Sequence, residues 1–468
     1  MSVSWSIAQA GEQDQAAAAL ARWALAVAEQ AAAGLQTSTA EEVAAARWLD
    51  AEDATMRQVL AWAMDHDPAT AVRLAAKLGW WWMLQGRLPG QYGLLREVAR
   101  RAEAGSDGWC AVQLWIGLAA VFSFDLAGAL EHATALRDAT ADRGPSPALA
   151  EGLAGRAVAL HSMGRTGEAA QEARRSLSVA RDTGHRFAEI LALGALCFAA
   201  RSSGDLDGAV QLARQAAQIT TGVPGSQARW CSYFLTSALI AAGDMAAADV
   251  VCAEGLSRSR AAGDVGSQWG LLPQMVFLDV HASRTGDAAA HLREGLQIAV
   301  RTGGWGALLD CLDGCGFLCA ATERPAEAVT MWAAAGALSR QAGRADGPVE
   351  ARLRDQPLRT ARQLLGADRT SAAEERGAAM SLAAAAEYAL MLTTPSARQA
   401  PPPGLANLSA RERALVTLVA RGCTNAQIAA QLHVSVRTVS SHLDLIRDKT
   451  GCRRRADLTR MALAAALV

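Results

Sequence analysis

The sequence predicts an all-α protein, in which a solenoid of stacked helical hairpins precedes a small four-helix domain. Three observations lead to this prediction. Hydrophobic residues make up 51% of the 468 residues but aromatic residues only 5%, because alanine is abundant, and alanine-rich amphipathic runs favour helix. A polar break recurs about every 40 residues along the body of the chain. Two capping boxes, which are typical helix starts, stand near the end.

Residues 1–105 are predicted to be an N-terminal helical region that opens the solenoid. Apolar periodicity predicts helices over residues 15–33, 40–49, 54–64, 69–85 and 91–104. The triplet Trp80-Trp81-Trp82 spans most of a helix circumference, so at least one ring faces away from the core side of its own helix. We expect a neighbouring helix to cover that ring.

Residues 106–345 are predicted to form helical-hairpin repeats. Each repeat has a short polar break, often Gly followed by Asp or Arg, with Ala about five residues later and a second helix beyond it. The breaks fall at Gly86, Phe124, Gly164, Gly204, Gly243, Gly286 and Glu323. Their separations of 38, 40, 40, 39, 43 and 37 residues are typical of an α-solenoid.

The break G-D-x-x-x-A, followed by an alanine-rich helix, resembles tetratricopeptide repeats lengthened from their usual span of about 34 residues. HEAT or armadillo geometry stays open at this period. Residues 346–392 are predicted to be capping helices. Residues 393–407 are predicted to be a linker, which Pro401, Pro402 and Pro403 stiffen into an extended spacer. We therefore expect the last domain to be tethered with some freedom rather than packed as a further repeat.

Residues 408–468 are predicted to form four short amphipathic helices. Ser409 with Glu412 and Thr424 with Gln427 have the spacing of capping boxes, and Ser435 precedes a third helix. The predicted buried faces consist of Leu415, Leu418, Val419, Ile428, Ala429, Leu432, Val439, Leu443 and Ile446, with Leu458 and Met461 on the fourth helix.

The charge distribution indicates what this last domain binds. From residue 404 onward the net charge is +6, whereas residues 1–403 carry −7. A basic module on an acidic body indicates a polyanion as the partner of that module. Side chains near the start of the third helix could reach base edges, namely Thr438, Ser440, Ser441, His442 and Asp444. Basic side chains could hold phosphates, namely Arg437, Arg447, Lys449, Arg453, Arg454 and Arg455.

Three strings in this segment resemble the LuxR-type helix-turn-helix: L-S-A-R-E-R, G-C-T-N-A-Q-I-A-A-Q-L and S-V-R-T-V-S-S-H-L-D-L-I-R-D-K-T-G-C-R-R-R-A-D-L. The resemblance implies a major-groove helix over residues 435–449 and a supporting helix over 424–432. It adds Thr424, Asn425 and Ser435 to the DNA-binding residues, and it implies a dimer contact by the last helix around Leu458 and Met461.

Two positions depart from the LuxR pattern. The family often has a basic residue where this chain has Ser440, and a polar or basic one where it has Asp444. A carboxylate can accept a hydrogen bond from cytosine but repels phosphate, so the operator sequence and the affinity stay open.

The body of the chain carries a second resemblance. The strings W-L-D-A-E-D-A-T-M-R-Q-V-L-A-W-A-M-D-H-D, A-V-R-L-A-A-K-L-G-W-W-W-M-L-Q-G-R and A-A-M-S-L-A-A-A-A-E-Y-A-L are similar to the C-terminal part of MalT-like STAND regulators. The ATPase of that group is missing, because neither of the two lysines, Lys77 and Lys449, stands in the P-loop pattern G-x-x-x-x-G-K-S/T. A natural short form and a fragment of a longer regulator both fit the sequence.

Aromatic residues on the predicted first helices of the hairpins suggest a ligand groove on the concave face of the solenoid. These residues are Trp109, Trp115, Trp230, Tyr233, Trp269, Trp305 and Phe317. Packing between repeats is the alternative and the commoner use of aromatic side chains. The sequence does not choose between a small-molecule effector and a protein or peptide effector.

No motif indicates an enzyme, a metal or another cofactor. The chain has no G-x-S-x-G elbow, paired carboxylate motif or dinucleotide fingerprint. Cys311, Cys315 and Cys319 share one helical stripe but have no neighbouring His, and we expect them to pack as small hydrophobic residues. Nine cysteines without paired spacing, no secretory signal and no apolar run of membrane length favour reduced thiols in the cytoplasm.

The sequence therefore predicts a LuxR-type transcription regulator in the cytoplasm, associated with the nucleoid. We expect it to bind double-stranded DNA as a homodimer and to sense a small-molecule or a protein or peptide effector through its solenoid. The alternative is a solenoid scaffold for other proteins with weak or vestigial DNA binding.

Overall fold

The computed structural model describes residues 2–37, 39–222, 225–393, 408–432 and 434–464, and these residues form helices and connecting turns without a strand. In chain order the helices are α1 (Ser2–Gly34), α2 (Thr39–Ala51), α3 (Asp53–His66), α4 (Pro68–Leu84), α5 (Tyr92–Ala99), α6 (Asp107–Phe122), α7 (Leu126–Thr140), α8 (Pro147–Ser162), α9 (Thr166–Thr183), α10 (Arg186–Ser203), α11 (Leu206–Ile219), α12 (Ser226–Ala242), α13 (Met245–Ala262), α14 (Val265–His281), α15 (Thr285–Thr302), α16 (Trp305–Ala321), α17 (Pro325–Gln341), α18 (Pro348–Leu365), α19 (Ala367–Ala378), α20 (Leu382–Leu392), α21 (Ala410–Ala420), α22 (Asn425–Leu432), α23 (Val436–Thr450) and α24 (Arg455–Ala464). The predicted all-α fold is confirmed, and the predicted linker lies outside the described residues except for Thr393.

The predicted breaks coincide with left-handed residues that end the first helix of each hairpin. Backbone φ is positive at Gly86, Phe124, Gly164, Gly204, Gly243, Ser283 and Glu323. Six of the seven predicted breaks are therefore confirmed. The break predicted at Gly286 is wrong, because the chain turns at Ser283 and Gly286 lies in the first turn of α15.

Two of these turns are the pair Gly-Asp, at Gly204 and Gly243, where Gly ends one helix and Asp caps the next. Gly204 has a φ of 85°, which glycine adopts without steric cost, and the Asp205 carboxylate accepts from the backbone N–H of Gly208 at 3.0 Å. Gly286 and Asp287, where the predicted break is wrong, lie inside α15, and Asp287 is in the first turn of that helix rather than at its N-cap.

A second series of left-handed glycines separates one hairpin from the next, and the sequence pattern did not single it out. These residues are Gly105, Gly144, Gly184, Gly222, Gly263, Gly303 and Gly343. They alternate with the first series, so each repeat of about 40 residues contains two helices and two left-handed turns.

The described chain divides into two compact units. Unit 1 comprises residues 1–275, 301–306 and 342–349, and unit 2 comprises residues 276–300, 307–341 and 350–468. In unit 1, consecutive helices from α6 to α13 pack as neighbours, and α6, α8, α10 and α12 also contact one another in series. This stacking is that of a tetratricopeptide-like solenoid. In unit 2, α17 packs on α19 and α20, and α20 also contacts α24 of the last domain.

The tryptophan triplet of α4 is covered by neighbouring helices, as expected. All three side chains are buried, with exposed fractions of 5% or less. The Trp80 ring makes edge contacts with Trp115 and Phe187, at centroid distances of 5.8 and 4.9 Å. The N-terminal helices are thereby part of the aromatic core of unit 1.

A buried ion triad joins the N-terminal helices to the hairpins of unit 1. The side chain of Arg229 on α12 is 1% exposed, and its Nε donates to Asp264 at 2.7 Å while its Nη2 donates to Glu42 on α2. The second Glu42 oxygen accepts from the backbone N–H of Ser226 at 2.7 Å. Burial raises the pKa of Glu42 above its usual range, against the opposing effect of Arg229. Two carboxylates thus share one guanidinium in the protein interior.

Candidate nucleic-acid interface

The last four helices enclose a core of their own. The buried residues are Leu408, Leu415, Val416, Val419, Ala420, Ile428, Ala429, Val439, Leu443, Ile446, Leu458, Met461 and Ala462. The predicted faces are confirmed, with Leu418 and Leu432 half-buried at the edge. The dimer contact expected from Leu458 and Met461 needs correction, because both side chains point into this core with exposed fractions of 0% and 1%. Dimerisation through α24 would have to use other side chains.

All three predicted helix starts carry the expected caps. The Ser409 hydroxyl accepts from the N–H of Glu412, whose carboxylate accepts from the N–H of Ser409 at 2.8 Å. Thr424 and Gln427 form the same reciprocal pair, at 3.2 and 2.7 Å. The Ser435 hydroxyl accepts from the N–H of Thr438 at 3.0 Å and starts α23.

Lys449, a predicted phosphate contact, is engaged within the domain. Its Nζ lies 2.6 Å from Glu412 Oε1, and this pair ties the end of α23 to the start of α21. The hydrogen bond from Lys449 and that from the Ser409 backbone lower the pKa of Glu412 to about 2. Lys449 therefore also holds α23 in place.

Asn425 and Arg455, both predicted DNA-binding residues, form an internal polar cluster. The Asn425 amide donates to Ser440 Oγ at 3.2 Å, and its carbonyl accepts from Arg455 Nη1 at 2.6 Å. Arg455 also donates to the carbonyl oxygen of Cys423. The cluster fixes α22, α23 and α24 relative to one another, so these side chains position the helices.

The face of α23 opposite its buried residues points outward. The exposed predicted residues on it are Arg437, Ser441, His442 and Asp444, and Thr438 and Ser440 are half-buried beside them. The Asp444 carboxylate pairs with Arg447 at 2.7 Å, which neutralises a predicted phosphate contact. Arg453 and Arg454 are exposed, before α24 begins. The sequence reasoning missed two exposed aliphatic side chains here, Val436 at 49% and Leu445 at 52% exposure.

Residues 406–462 match the family described as bacterial regulatory proteins, luxR family. This segment is a LuxR-type helix-turn-helix domain. The response regulator Rre1 of Synechocystis sp. is 40% identical over 63 residues, which cover 14% of this chain and 27% of that protein. The probable transcriptional regulator ycf29 of Cyanophora paradoxa is 40% identical over 57 residues, or 12% and 27%. The chain thus spans about a quarter of the length of these relatives.

Solved structures similar to the helical body include two Rap proteins. One is a Rap protein complexed with competence and sporulation factor, at 10% identity over 70% of this chain and 98% of that chain, with a TM-score of 0.44. The other is the Rap conjugation gene regulator of the plasmid pLS20 in complex with the Phr* peptide, at 14% identity over 65% and 79%, with a TM-score of 0.46.

Truncation of Arg455 is expected to lower the stability of the LuxR-type domain, whereas truncation of Arg437 is expected to change the salt dependence of its DNA binding. Arg455→Ala leaves the Asn425 and Cys423 carbonyls without their charged donor, so we expect the domain to lose about 1.5–3 kcal/mol of stability. Arg437→Ala removes an exposed cation, so we expect unchanged stability and a salt slope of DNA binding that is smaller by about one. Amide hydrogen exchange in α22 and fluorescence anisotropy measure the two effects. A reduced salt slope with unchanged exchange in Arg455→Ala would instead make Arg455 a phosphate contact.

Asp444→Asn is expected to tighten DNA binding roughly three- to ten-fold at low salt, because it removes a negative charge and releases Arg447 for a phosphate. The salt slope should steepen by about one. Asp448→Asn is the matched control, since Asp448 is exposed one turn later on the same helix and forms no ion pair in the described structure. Weaker binding by Asp444→Asn at a site containing cytosine would show that this carboxylate reads the base.

Most of the aromatic residues predicted to line a ligand groove take part in packing, and Trp305 is exposed. Trp115 is buried and its Nε1 donates to the Ala76 carbonyl at 3.1 Å, while Trp269 is buried and donates to Thr302 Oγ1 at 3.2 Å. The others are Trp109, Trp230 and Tyr233, which are half-buried, Trp305, which is 37% exposed, and Phe317 of unit 2, which is buried. The two best-formed cavities among the described residues hold about 10 Å³ each, room for one water, and none of these aromatics lines them. The ligand groove stays a prediction.

Cys311, Cys315 and Cys319 are buried in α16, and burial raises the pKa of the Cys311 thiol. Within the part of the chain that the structure describes, no three His, Cys, Asp or Glu side chains are grouped so that they could hold a metal ion. In the same part, no helix is both long enough and apolar enough to cross a membrane.

Proposed function

We propose that this chain is a transcription regulator that binds double-stranded DNA through its LuxR-type domain, with α23 in the major groove. The observation that carries the proposal is the outward face of α23. Arg437 and Ser441 are exposed there, whereas Val439, Leu443 and Ile446 anchor the opposite face in the core. A helix held in this way can enter a groove with little rearrangement, because its own domain already fixes its orientation.

Electrostatics supports the same proposal. The segment from residue 404 onward carries +6, and Arg453 and Arg454 are exposed near the outward helix. Cations of this kind can neutralise phosphates on either side of a groove, which positions the helix without reading sequence. Base contacts from α23 would then supply the specificity, and a DNA partner would associate the protein with the nucleoid.

Selection of binding sites from random duplexes by the purified full chain tests the proposal. We expect a recurring motif, and a homodimer would give two half-sites about 10 base pairs apart, centre to centre. Arg437→Ala should recover the motif more weakly, and Arg214→Ala, an exposed arginine on α11, should recover it as well as the wild type. A wild-type pool without any motif would favour the scaffold alternative.

We also propose that the solenoid of unit 1 responds to an effector, a small molecule or a protein or peptide, at the junction of α2 with α12. The support is the buried triad of Arg229, Glu42 and Asp264. Burying three charges is costly, and here the carboxylates outnumber the guanidinium, so this junction is held by contacts of low net stability. An effector that loosens or tightens this junction would change the packing of the N-terminal helices.

The junction can be tested by its effect on transcription. Glu42→Gln removes the excess carboxylate and keeps the shape of the side chain, but its single amide oxygen can replace only one of the two Glu42 acceptors, the one facing Arg229 or the one facing the Ser226 N–H. We expect wild-type DNA affinity in vitro and an altered response of a reporter promoter that carries the selected site. Identical reporter activity over all growth conditions would contradict a sensing role for this junction.

A further inference from the structure

Only part of the outward face of α23 remains available for contact with a base, because internal contacts engage several of its side chains. Several predicted DNA-binding residues are engaged inside the domain: Ser435 with Thr438, Ser440 with Asn425, Asp444 with Arg447, and Lys449 with Glu412. Within the described residues, no hydrogen bond or ion pair engages the exposed side chains of Arg437, Ser441, His442 and Asp448, and Val436 and Leu445 are exposed aliphatic side chains of the same helix. Arg437 is expected to hold a phosphate, so sequence readout would rely on the others.

Leu445 is aliphatic, and unlike Val436, which is the first residue of α23, it lies within the helix. Its side chain is 52% exposed, although Leu443 and Ile446 beside it are buried at 1% and 0%. The helical spacing of four places Leu445 on one stripe with Ser441 and Arg437, on the side of α23 that faces away from the core. A cation, a hydroxyl and an aliphatic group thus follow one another along the outward face.

We infer that Leu445 is a specificity-determining residue that contacts the 5-methyl group of a thymine in the major groove. This inference rests on the proposed DNA-binding function. The thymine methyl is the distinctive apolar group on the base edges of that groove, so it is the chemical match for an exposed aliphatic side chain between polar neighbours. Contact with the methyl would cover apolar surface that the folded domain leaves in water.

The size of the effect follows from the chemistry of one methyl group. Burial of a single methylene-sized group changes affinity by about four-fold, and this is the expected gain from one Leu445–methyl contact. The effect should be confined to one thymine position in each half-site, because each copy of the chain presents one Leu445.

The experiment compares duplexes that carry thymine or deoxyuridine, which differ only in the methyl group. Each thymine of the selected site is replaced in turn, and the affinity of the purified full chain is measured by anisotropy. We expect the affinity of the wild type to fall about four-fold when deoxyuridine replaces one particular thymine of each half-site. Leu445→Ala should bind the unmodified site about four-fold less tightly and show no further loss on the deoxyuridine duplex.

Leu364→Ala is the matched control. Leu364 is an aliphatic side chain on α18, it is 69% exposed, and it lies outside the LuxR-type domain. This variant should keep both the wild-type affinity and the wild-type sensitivity to deoxyuridine. Because Leu445 is half exposed, its truncation should leave the fold intact, and circular dichroism checks this.

Three results would overturn the inference, and they can be distinguished from one another. Specific binding that is insensitive to deoxyuridine at every thymine, or equally sensitive in Leu445→Ala, removes the role of Leu445 and leaves the proposed function standing. If the chain binds no duplex at all, both the role of Leu445 and the proposed DNA-binding function are wrong. Loss of self-association in Leu445→Ala, measured by light scattering, with unchanged sensitivity to deoxyuridine would make this side chain a protein contact instead.

Discussion

Arg229→Met is expected to destabilise unit 1 by about 3–5 kcal/mol, the largest effect that the structure predicts for a single polar residue. The substitution keeps an unbranched apolar stem but removes the charge that Glu42 and Asp264 share. Both carboxylates are 2% exposed or less, so water cannot replace the guanidinium without opening the junction. Two buried carboxylates are left without a cation, although Glu42 still accepts from the Ser226 N–H and Asp264 from the Ser267 N–H and hydroxyl.

Urea unfolding followed by tryptophan fluorescence measures this loss. All 13 tryptophans precede residue 333, so the signal reports on the helical body and not on the LuxR-type domain. Glu42→Gln is the control, because it leaves one guanidinium with one carboxylate, and we expect less than about 1.5 kcal/mol of change. Equal destabilisation by the two variants would show that the triad contributes through packing rather than charge.

Gly377→Ala is expected to destabilise unit 2 by about 3 kcal/mol, because α19 meets α17 there with no room for a side chain. An added Cβ would lie 2.1 Å from the carbonyl oxygen of Thr330 and 2.9 Å from the backbone nitrogen of Ala334. Both atoms belong to the backbone of α17, which cannot yield as a flexible side chain would. The two helices must move apart, which opens the core around Val329 and Ala373.

Gly286→Ala provides a control for this prediction in the same unit. An added Cβ at Gly286 meets no atom within 4 Å, and the residue is helical, so we expect no loss and a gain of up to about 1 kcal/mol. Hydrogen exchange in α17 and α19 separates the two variants. A large loss of stability in Gly286→Ala would contradict the turn at Ser283 and would support the turn at Gly286 that the sequence pattern predicted.

The helical body could be predicted because its signals are local. A left-handed residue and a polar residue that begins the next helix stand next to each other in the sequence, as in Gly204-Asp205, and the hairpin period follows from counting such breaks. The exception arises because the nearby residues Gly286 and Asp287 have the pattern of a break but lie within a helix, whereas the chain turns at Ser283. The buried triad could not be predicted, since Glu42 and Arg229 are 187 residues apart.

The candidate site was predictable as a surface but not residue by residue. The helix caps and buried faces of the LuxR-type domain follow from residue spacings of three and four, and the structure agrees with these predictions. Asn425 and Arg455 looked like DNA contacts, yet they bond each other across 30 residues. Leu445 is absent from the predicted buried face of α23 and is exposed in the structure, but no sequence signal distinguishes an exposed leucine from a base contact.

Binding of α23 to duplex DNA should release counterions from the phosphates. The most direct test is the Kd of the full chain for the selected duplex at increasing salt concentration, for the wild type and Arg437→Ala. We predict that log Kd rises linearly with log salt concentration, and that the slope of the variant is smaller by about one. A wild-type Kd that does not depend on salt, or a slope that Arg437→Ala leaves unchanged, would contradict this account.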